Sequence, residues 1–167
     1  KTGKYPIIFE SSIATSIISS MVTAISGGNL YRETSFLLNS LHTKIASDYL
    51  SIIENPFLEK GHASCYFDGE GVGLKERTIL DNGFLNSYFL SSYSARKLGM
   101  HTTGNAGGAH NLIVSSSNNT LSELIEGIDK GLLITELLGH GLNMVTGDYS
   151  RGAAGFWIES GKIQHAV

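Results

Sequence analysis

The sequence predicts an α+β fold, with a strand-rich twisted sheet or a partly closed barrel and about three short-to-medium helices. Many short apolar runs are bounded by glycine or polar residues, which is typical of strands. Only three segments carry helical signals, and they do not alternate with the strands as in a parallel α/β sheet. A chain of 167 residues has the length of one domain, so we expect a single domain over residues 1–167.

The chain opens with a short strand and an amphipathic helix. Residues 7–9 are apolar and predict the strand. Ser11 or Ser12 can cap the start of the helix, and Gly27-Gly28 is expected to end it. The helix is predicted to bury one stripe of apolar residues spaced three and four apart: Ile13, Ala14, Ile17, Ile18, Met21, Val22 and Ile25.

The middle of the chain predicts mainly strands. Residues 45–53 and 64–67 are interpreted as strands from their apolar and aromatic content. Residues 78–85 carry the clearest hairpin signal, because Asn82-Gly83 favours a type I′ turn. We expect the partner strand of this hairpin to run through residues 88–90.

A short helix and a glycine-rich loop follow. The helix is predicted from Tyr93 to Leu98, with Gly99 ending it. Residues 101–111 are rich in glycine and predict a loop, residues 112–114 predict a brief strand, and residues 115–119 predict a polar surface loop.

The next helix carries its own start signal. Residues 120–123 read Thr-Leu-Ser-Glu, a capping box, and Gly131 is expected to break the helix. Residues 132–138 are interpreted as a buried strand, although their periodicity also allows a helix. The apolar face of the capped helix is predicted to consist of Leu121, Leu124, Ile125 and Ile128.

The final segment combines a glycine-rich loop with a hairpin. Gly152 and Gly155 lack a Cβ atom, which suits positions where backbone approaches another backbone or a ligand closely. Ser160-Gly161 lies between the apolar runs 156–158 and 163–167, and this arrangement predicts a tight hairpin turn.

Composition and charge argue against several classes of partner. The chain is 41% hydrophobic and 16% charged, as in a globular protein. Its formal net charge of −3 disfavours general nucleic-acid binding, and no apolar stretch reaches membrane-spanning length. We therefore expect neither nucleic acid nor a membrane as partner. Cys65, the single cysteine, fits a reducing compartment such as the cytoplasm and is expected to be a small buried apolar residue in a strand.

Four consecutive residues stand out as candidate contacts for a peptide or a protein partner. Asp148, Tyr149, Ser150 and Arg151 place two charges, a ring and hydroxyl groups in a stretch otherwise made of glycine and alanine. Arg151 can bind a carboxylate through two parallel hydrogen bonds. A structural pair of Asp148 with Arg151 and a contact of Arg151 with a partner remain equal alternatives at this stage.

The histidines offer a second set of candidates. His110 and His101 flank the glycine-rich loop and can converge in space, with Asp68 or Glu70 as a carboxylate partner. Such a convergence would favour an independent hydrolase. None of the six histidines lies four residues from another, the spacing that places two metal ligands on one helix face: His42, His62, His101, His110, His140 and His165.

Several long motifs together resemble one known family. In this order along the chain they match the PmbA (TldE) branch of the TldD/PmbA family of bacterial peptide-processing metalloproteases. The motifs are AISGG at 24–28, FDGEGV at 67–72, SYSARKLG at 92–99, TGNAGG at 103–108, TELLG at 135–139 and GDYSRGAAGFWIESGKI at 147–163. Because the chain starts without Met and stops within a strand pattern, we expect it to be a fragment of the C-terminal region of such a protein.

The resemblance implies that two subunits have different roles, one of them holding the metal. In the TldD branch, the first helix carries His-Glu-x-x-x-His, whereas residues 10–15 here read Glu-Ser-Ser-Ile-Ala-Thr and residues 1–41 contain no histidine. We therefore expect no metal, cofactor or catalytic residue in this chain, and zinc in a TldD-like partner subunit. The implied substrate is an unfolded or extended peptide. The alternatives are an independent hydrolase with a different site and a non-enzymatic interaction module.

Overall fold

The computed structural model describes residues 2–167, which form two four-stranded sheets and four helices. The α+β prediction is confirmed, and neither sheet closes into a barrel within these residues. None of the four helices is long and apolar enough to cross a membrane. In chain order the elements are β1 (Ile7–Phe9), α1 (Ser11–Ala24), α2 (Gly27–Tyr31), β2 (Ile52–Glu54), β3 (Arg77–Asp81), β4 (Phe84–Leu85), α3 (Ser92–Lys97), β5 (Leu112–Val114), α4 (Leu121–Glu126), β6 (Lys130–Leu138), β7 (Gly152–Glu159) and β8 (Lys162–Ala166).

The chain divides into two compact units, each with one sheet. The first unit comprises the chain up to Ser20 together with Ser117–Asn143 and Gly147–Val167. The second unit comprises Met21–Ser116 and Met144–Thr146. Helix α1 begins in the first unit and ends in the second.

The sheet of the first unit has the order β1-β6-β7-β8. Strand β1 pairs with β6 in parallel, and the other two pairings are antiparallel. The prediction of a strand over residues 132–138 is confirmed, but only the first half of β6 is buried. Leu133 and Ile134 of this half and Ile158 of β7 belong to the core. Gly131 lies within β6 and does not terminate the preceding helix.

The hairpin predicted at Ser160-Gly161 is confirmed. Strands β7 and β8 pair on either side of these two residues. Both turn residues have positive φ, 52° at Ser160 and 71° at Gly161, as a type I′ turn requires. The conformation of the turn thus suits its two residues, and their backbone N–H groups also donate to the carbonyls of Asp129 and Ile128.

Gly155 is required by the close approach of two strands. It lies opposite Ile134, beside an irregularity in the β6–β7 register. A Cβ atom at Gly155 would overlap the carbonyl oxygen of Leu133. Gly152 is less constrained, because its Cβ would meet only the side chain of Leu138, at 3.3 Å. Of the two alternatives that the sequence allows at Gly155, the structure thus shows backbone against backbone.

The sheet of the second unit has the order β4-β3-β2-β5 and is antiparallel throughout. The Asn82-Gly83 turn is confirmed, with φ of 46° and 81°. The expected partner strand at residues 88–90 is wrong, because β4 occupies that place and Phe89 forms only an isolated bridge with Ser26. The fully buried core of this unit includes Ile25, Leu30, Ile52, Ile79, Leu80, Leu85 and Leu90.

Two strand predictions in the second unit are largely wrong. Only Ile52 and Ile53 of the predicted strand 45–53 belong to β2, and residues 64–67 form no strand. Cys65 is exposed and not buried as expected. Tyr66 next to it is 79% exposed, so the aromatic content of this segment reflects a surface loop that follows Pro56 and not the face of a sheet.

The predicted first helix is confirmed, but its end and its burial differ from expectation. Helix α1 ends at Ala24, its only fully buried residue, and Ile17 in the apolar stripe is 39% exposed. Gly27 opens α2 and does not terminate α1. A Cβ atom at Gly27 would overlap the hydroxyl of Ser94 at the start of α3, so this glycine serves the close packing of two helices.

The two later helices begin where the sequence predicts. Helix α3 has a capping box between Ser91 and Ser94, and Gly99 follows it with a φ of 66°. The capping box of α4, between Thr120 and Glu123, is confirmed. Helix α4 ends at Glu126, earlier than predicted. Its apolar side chains, half-exposed at Leu121 and Leu124, do not form a buried face.

Gly155→Ala is expected to destabilise the full-length protein that carries this chain by about 1–3 kcal/mol or more. The added methyl group meets strand backbone, which cannot rotate away as a side chain can. Chemical denaturation measures the change. Gly73→Ala is the control, because a Cβ there meets nothing within 4 Å. Equal stability of the two variants would contradict the close approach.

Candidate functional site

The most buried carboxylate of the second unit belongs to Glu54, the last residue of β2. The residue is 1% exposed, and both oxygens accept several hydrogen bonds. Oε1 accepts from the backbone N–H of His110 at 2.9 Å, from Nδ1 of His110 at 3.0 Å and from Nδ2 of Asn105 at 2.9 Å. Oε2 accepts from Nε of Arg77 at 3.1 Å and also from its Nη2. One side chain thus connects three separate segments.

Pairing of β2 with β3 places Arg77 directly opposite Glu54. The guanidinium group uses its remaining donors on neighbours within the same cluster. Nη1 donates to the hydroxyl of Ser87 at 2.7 Å, and Nη2 donates to Oδ1 of Asn105 at 2.7 Å. The ion pair is therefore buried together with the hydrogen-bond partners that make such burial tolerable.

The ionisation state of Glu54 determines the tautomer of His110. Burial by itself raises the pKa of Glu54. The backbone N–H of His110 and the guanidinium of Arg77 together lower the pKa by more than burial raises it, so the pKa lies below its ordinary value. The ionised carboxylate only accepts hydrogen bonds. Nδ1 of His110 must therefore carry the hydrogen of this bond.

A second carboxylate, Asp68, fixes the glycine-rich loop. Its oxygens accept from the backbone N–H groups of Glu70, Val72 and Ala106, each at 2.9 Å. Burial raises the pKa of Asp68, but these three donors and the nearby His110 lower it below its ordinary value. Glu70 has a different role, because its Oε2 accepts from the backbone N–H of Ser92 at 2.8 Å. Both carboxylates thus organise loops by accepting hydrogen bonds from backbone N–H groups.

His110 borders a cavity of about 300 Å³ in the second unit. The structure brings His110 together with Asp68, as the sequence suggested, while His101 is exposed and does not line this cavity. Among residues 2–167, no group of three or more His, Cys, Asp and Glu side chains is arranged to bind a metal ion. The cavity lining includes Cys65, Phe67, Asp68, Gly107, Gly108 and His110.

The four candidate residues at 148–151 lie in the first unit, at the start of β7. Tyr149 forms an isolated bridge with Leu142, and the backbone N–H of Ser150 donates to the carbonyl of Gly141 at 2.8 Å. The carbonyl of Asp148 accepts from the backbone N–H of Asn143 at 2.8 Å. The backbone of this segment is therefore held by the residues that follow β6.

Within residues 2–167, the one buried side-chain nitrogen or oxygen without a hydrogen-bond partner belongs to Arg151. Its Nη2 donates to the carbonyl of Leu137 at 3.5 Å, the outer limit of a hydrogen bond. Its Nε is buried and has no hydrogen-bond partner within residues 2–167. The pairing of Arg151 with Asp148, one of the two alternatives from the sequence, does not occur in this structure.

Glu54, Arg77 and Asn105 are not among the candidate residues that the sequence predicts. A charged residue directly after two isoleucines, at the end of a strand, was the available signal for Glu54. Arg77 and Asn105 become recognisable only once strand pairing and the loop path are known, because they lie 23 and 51 residues from Glu54 along the chain.

The hydroxyl groups at the start of α1 are bonded to neighbouring residues of the same segment. The side chain of Ser12 bonds to the carboxylate of Glu10. Thr15 donates from Oγ1 to the carbonyl of Ser12 at 2.6 Å, and Ser16 donates to the carbonyl of Ile13 at 2.7 Å. Hydroxyl groups that are used in this way stabilise the helix surface and offer no imidazole to a metal.

Comparison with known proteins identifies close relatives along the whole chain. Residues 2–167 match a protein-family model described as the PmbA/TldA metallopeptidase C-terminal domain. Metalloprotease PmbA of Escherichia coli O157:H7 is 48% identical over 166 residues, which cover 99% of this chain and 37% of that protein. A PmbA homologue from Haemophilus influenzae is 49% identical over 167 residues, with 99% and 37% coverage.

Solved structures agree with this match. A proposed modulator of DNA gyrase from Bacteroides thetaiotaomicron superposes with a TM-score of 0.95 at 39% identity, over all of this chain and 38% of that one. TldE from Thermococcus kodakarensis superposes with a TM-score of 0.80 at 26% identity, over 97% of this chain and 40% of that one. The chain spans somewhat more than a third of the length of these relatives.

Glu54→Gln is expected to destabilise the full-length protein at neutral pH by about 3–5 kcal/mol, because it leaves the Arg77 charge buried without its partner. The wild type should also lose stability in acid. The pKa of Glu54 is lowered from 4.5 in the folded state, so its stabilising contribution is complete above about pH 4.5 and disappears as the pH falls through the folded-state pKa.

Thermal unfolding between pH 7 and pH 3 measures both effects. In the Glu54→Gln variant, the dependence of melting temperature on pH should be shallower than in the wild type. The exposed Glu59→Gln is the control, and it should follow the wild-type curve. If Glu54→Gln and Glu59→Gln had the same profile, Glu54 would not be the stabilising group.

Proposed function

Because the chain belongs to the PmbA/TldD metallopeptidase family, we propose that it is the C-terminal part of a PmbA/TldE-like subunit in a TldD/TldE-type metalloprotease assembly. In this proposal, a TldD-like subunit carries the zinc ion and cleaves peptides. The subunit that contains this chain completes the enclosure and helps to hold an unfolded or extended peptide. The assembly would serve peptide processing and proteolysis.

The start of α1 carries the proposal. In the TldD branch the corresponding stretch supplies histidine ligands, whereas Glu10, Ser12 and Thr15 occupy it here. A catalytic zinc site takes about three ligands, usually with neutral imidazoles among them, and keeps an open fourth position. The donor set at α1 does not fit zinc, because it contains no imidazole and its hydroxyl groups already bond to Glu10 and to the helix backbone. The metal is therefore assigned to the partner.

The strand-rich sheet of the first unit suits a role in holding peptide. Its four strands have the order β1-β6-β7-β8. A sheet of this kind can add an extended peptide through backbone hydrogen bonds, which tolerate many side-chain sequences. The candidate contacts for peptide or partner are His110, Asp148, Tyr149, Ser150 and Arg151.

The net charge and the single thiol of the chain bear on its partners and its cellular compartment. A net charge of −3 gives no support for binding to nucleic acid. The free thiol of Cys65 is compatible with a reducing compartment, and we place the assembly in the cytoplasm.

One observation favours a second candidate, an independent hydrolase. Glu54 fixes the imidazole of His110 at the border of a cavity, and the exposed Cys65 lines the same cavity. A carboxylate that orients a histidine near a nucleophile is the arrangement that nucleophilic catalysis needs. Metal content and peptide cleavage distinguish this candidate from the assembly.

Metal analysis and peptide cleavage on the co-purified full-length subunits test the assembly. Zinc and activity should require the TldD-like subunit, and substitution of the histidines in its His-Glu-x-x-x-His stretch should abolish cleavage. The PmbA/TldE-like subunit alone should be inactive and bind no stoichiometric zinc. Stoichiometric zinc with peptidase activity in that subunit alone would refute the proposal. Metal-independent cleavage that is lost on His110→Ala would favour the independent hydrolase.

A further inference from the structure

The guanidinium group of Arg151, in the first unit, lacks a full set of hydrogen-bond acceptors among the described residues. Arginine stays protonated in proteins and carries five N–H donors. In the described part of the chain, the guanidinium makes one hydrogen bond, at 3.5 Å to the carbonyl of Leu137, and no carboxylate forms an ion pair with it. The buried Nε has no partner there. A desolvated donor without an acceptor is unfavourable, so the group is expected to find an acceptor outside the chain.

The position of Arg151 is built into the surrounding backbone. A Cβ atom at Gly141 would overlap Cγ of Arg151 and the carbonyl oxygen of Ser150, so the arginine stem lies where only glycine leaves room. The Ser150–Gly141 hydrogen bond and the Leu142–Tyr149 bridge hold the two segments together. The guanidinium is thus oriented in advance, which reduces the entropy that binding would cost.

Apolar side chains near Arg151 are exposed. Tyr149, two residues before it, is 44% exposed. Leu138 is 53% exposed and pairs with Gly152, the residue that follows Arg151. Tyrosine and arginine are enriched among the residues that contribute most to protein interfaces. A fixed charge beside exposed apolar side chains is typical of an interface and not of a solvated loop.

We infer that Leu138, Tyr149 and Arg151 form an interface patch in which the guanidinium binds an Asp or Glu side chain of the TldD-like partner subunit. The planar group matches a carboxylate through two parallel hydrogen bonds, and the missing partner of Nε is then supplied. This inference rests on the proposed two-subunit assembly and names the chemical group that joins the subunits.

The test measures the dissociation constant of the two full-length subunits and the melting temperature of the PmbA/TldE-like subunit alone. Arg151→Met keeps an apolar stem and removes the charge. It should weaken association about 30-fold or more, while the melting temperature of the free subunit stays equal or rises because an unpaired donor is lost. Arg151→Lys, which loses the two-pronged geometry, should weaken association less. Arg96→Met, at an exposed arginine of the second unit, is the control.

Three other outcomes distinguish the proposed assembly from the role of Arg151 in it. Unchanged association with a lowered melting temperature in Arg151→Met would show a structural role and overturn the inference alone. A raised KM for peptide at unchanged association would assign the guanidinium to a carboxylate of the substrate and also overturn it. If the wild-type subunits did not associate, the proposed assembly and the inference would both fail.

Discussion

The buried carboxylate of Glu54 is the interaction on which the second unit depends. It lies at the end of β2, pairs across the sheet with Arg77 on β3, and accepts from Asn105 and His110 in the glycine-rich loop. Sheet and loop share this one acceptor. Removing a charge from water is unfavourable unless its hydrogen bonds are replaced, and here the replacements come from β3 and from the glycine-rich loop. The carboxylate therefore fixes the relative positions of these segments within the unit.

This dependence explains how a loop without regular structure keeps a defined path. Residues 104–108 contain three glycines, all with positive φ, and form no strand or helix. Their backbone groups cannot satisfy one another as in a sheet. Glu54 and Asp68 supply acceptors from outside the loop, and Asp68 binds the N–H of Ala106 directly. The border of the cavity at His110 is thus positioned by two carboxylates and not by secondary structure.

Features specified by neighbouring residues could be predicted from the sequence, whereas features specified across the fold could not. The turns at Asn82-Gly83 and Ser160-Gly161, and the capping box at residues 120–123, depend on local backbone preference and were found. The strand assignment at 64–67 failed because aromatic content does not distinguish a sheet face from an exposed loop. Glu54 was missed for a related reason, since its partners lie far away in sequence. The interface candidate Arg151 was identified from composition alone, but its unmet hydrogen bond is visible only in three dimensions.

Two partly buried arginines, Arg77 and Arg151, differ in a way that bears on assembly. The charge of Arg77 is neutralised within its own unit, and its Nε, Nη1 and Nη2 all donate to neighbours. Arg151, by contrast, has one long hydrogen bond and a buried donor without an acceptor in the described residues. Glu54 neutralises Arg77 from within the same unit, whereas no described carboxylate does the same for Arg151. Arg151 is therefore expected to meet an acceptor outside the described residues, because packing alone would have favoured an apolar side chain at that position.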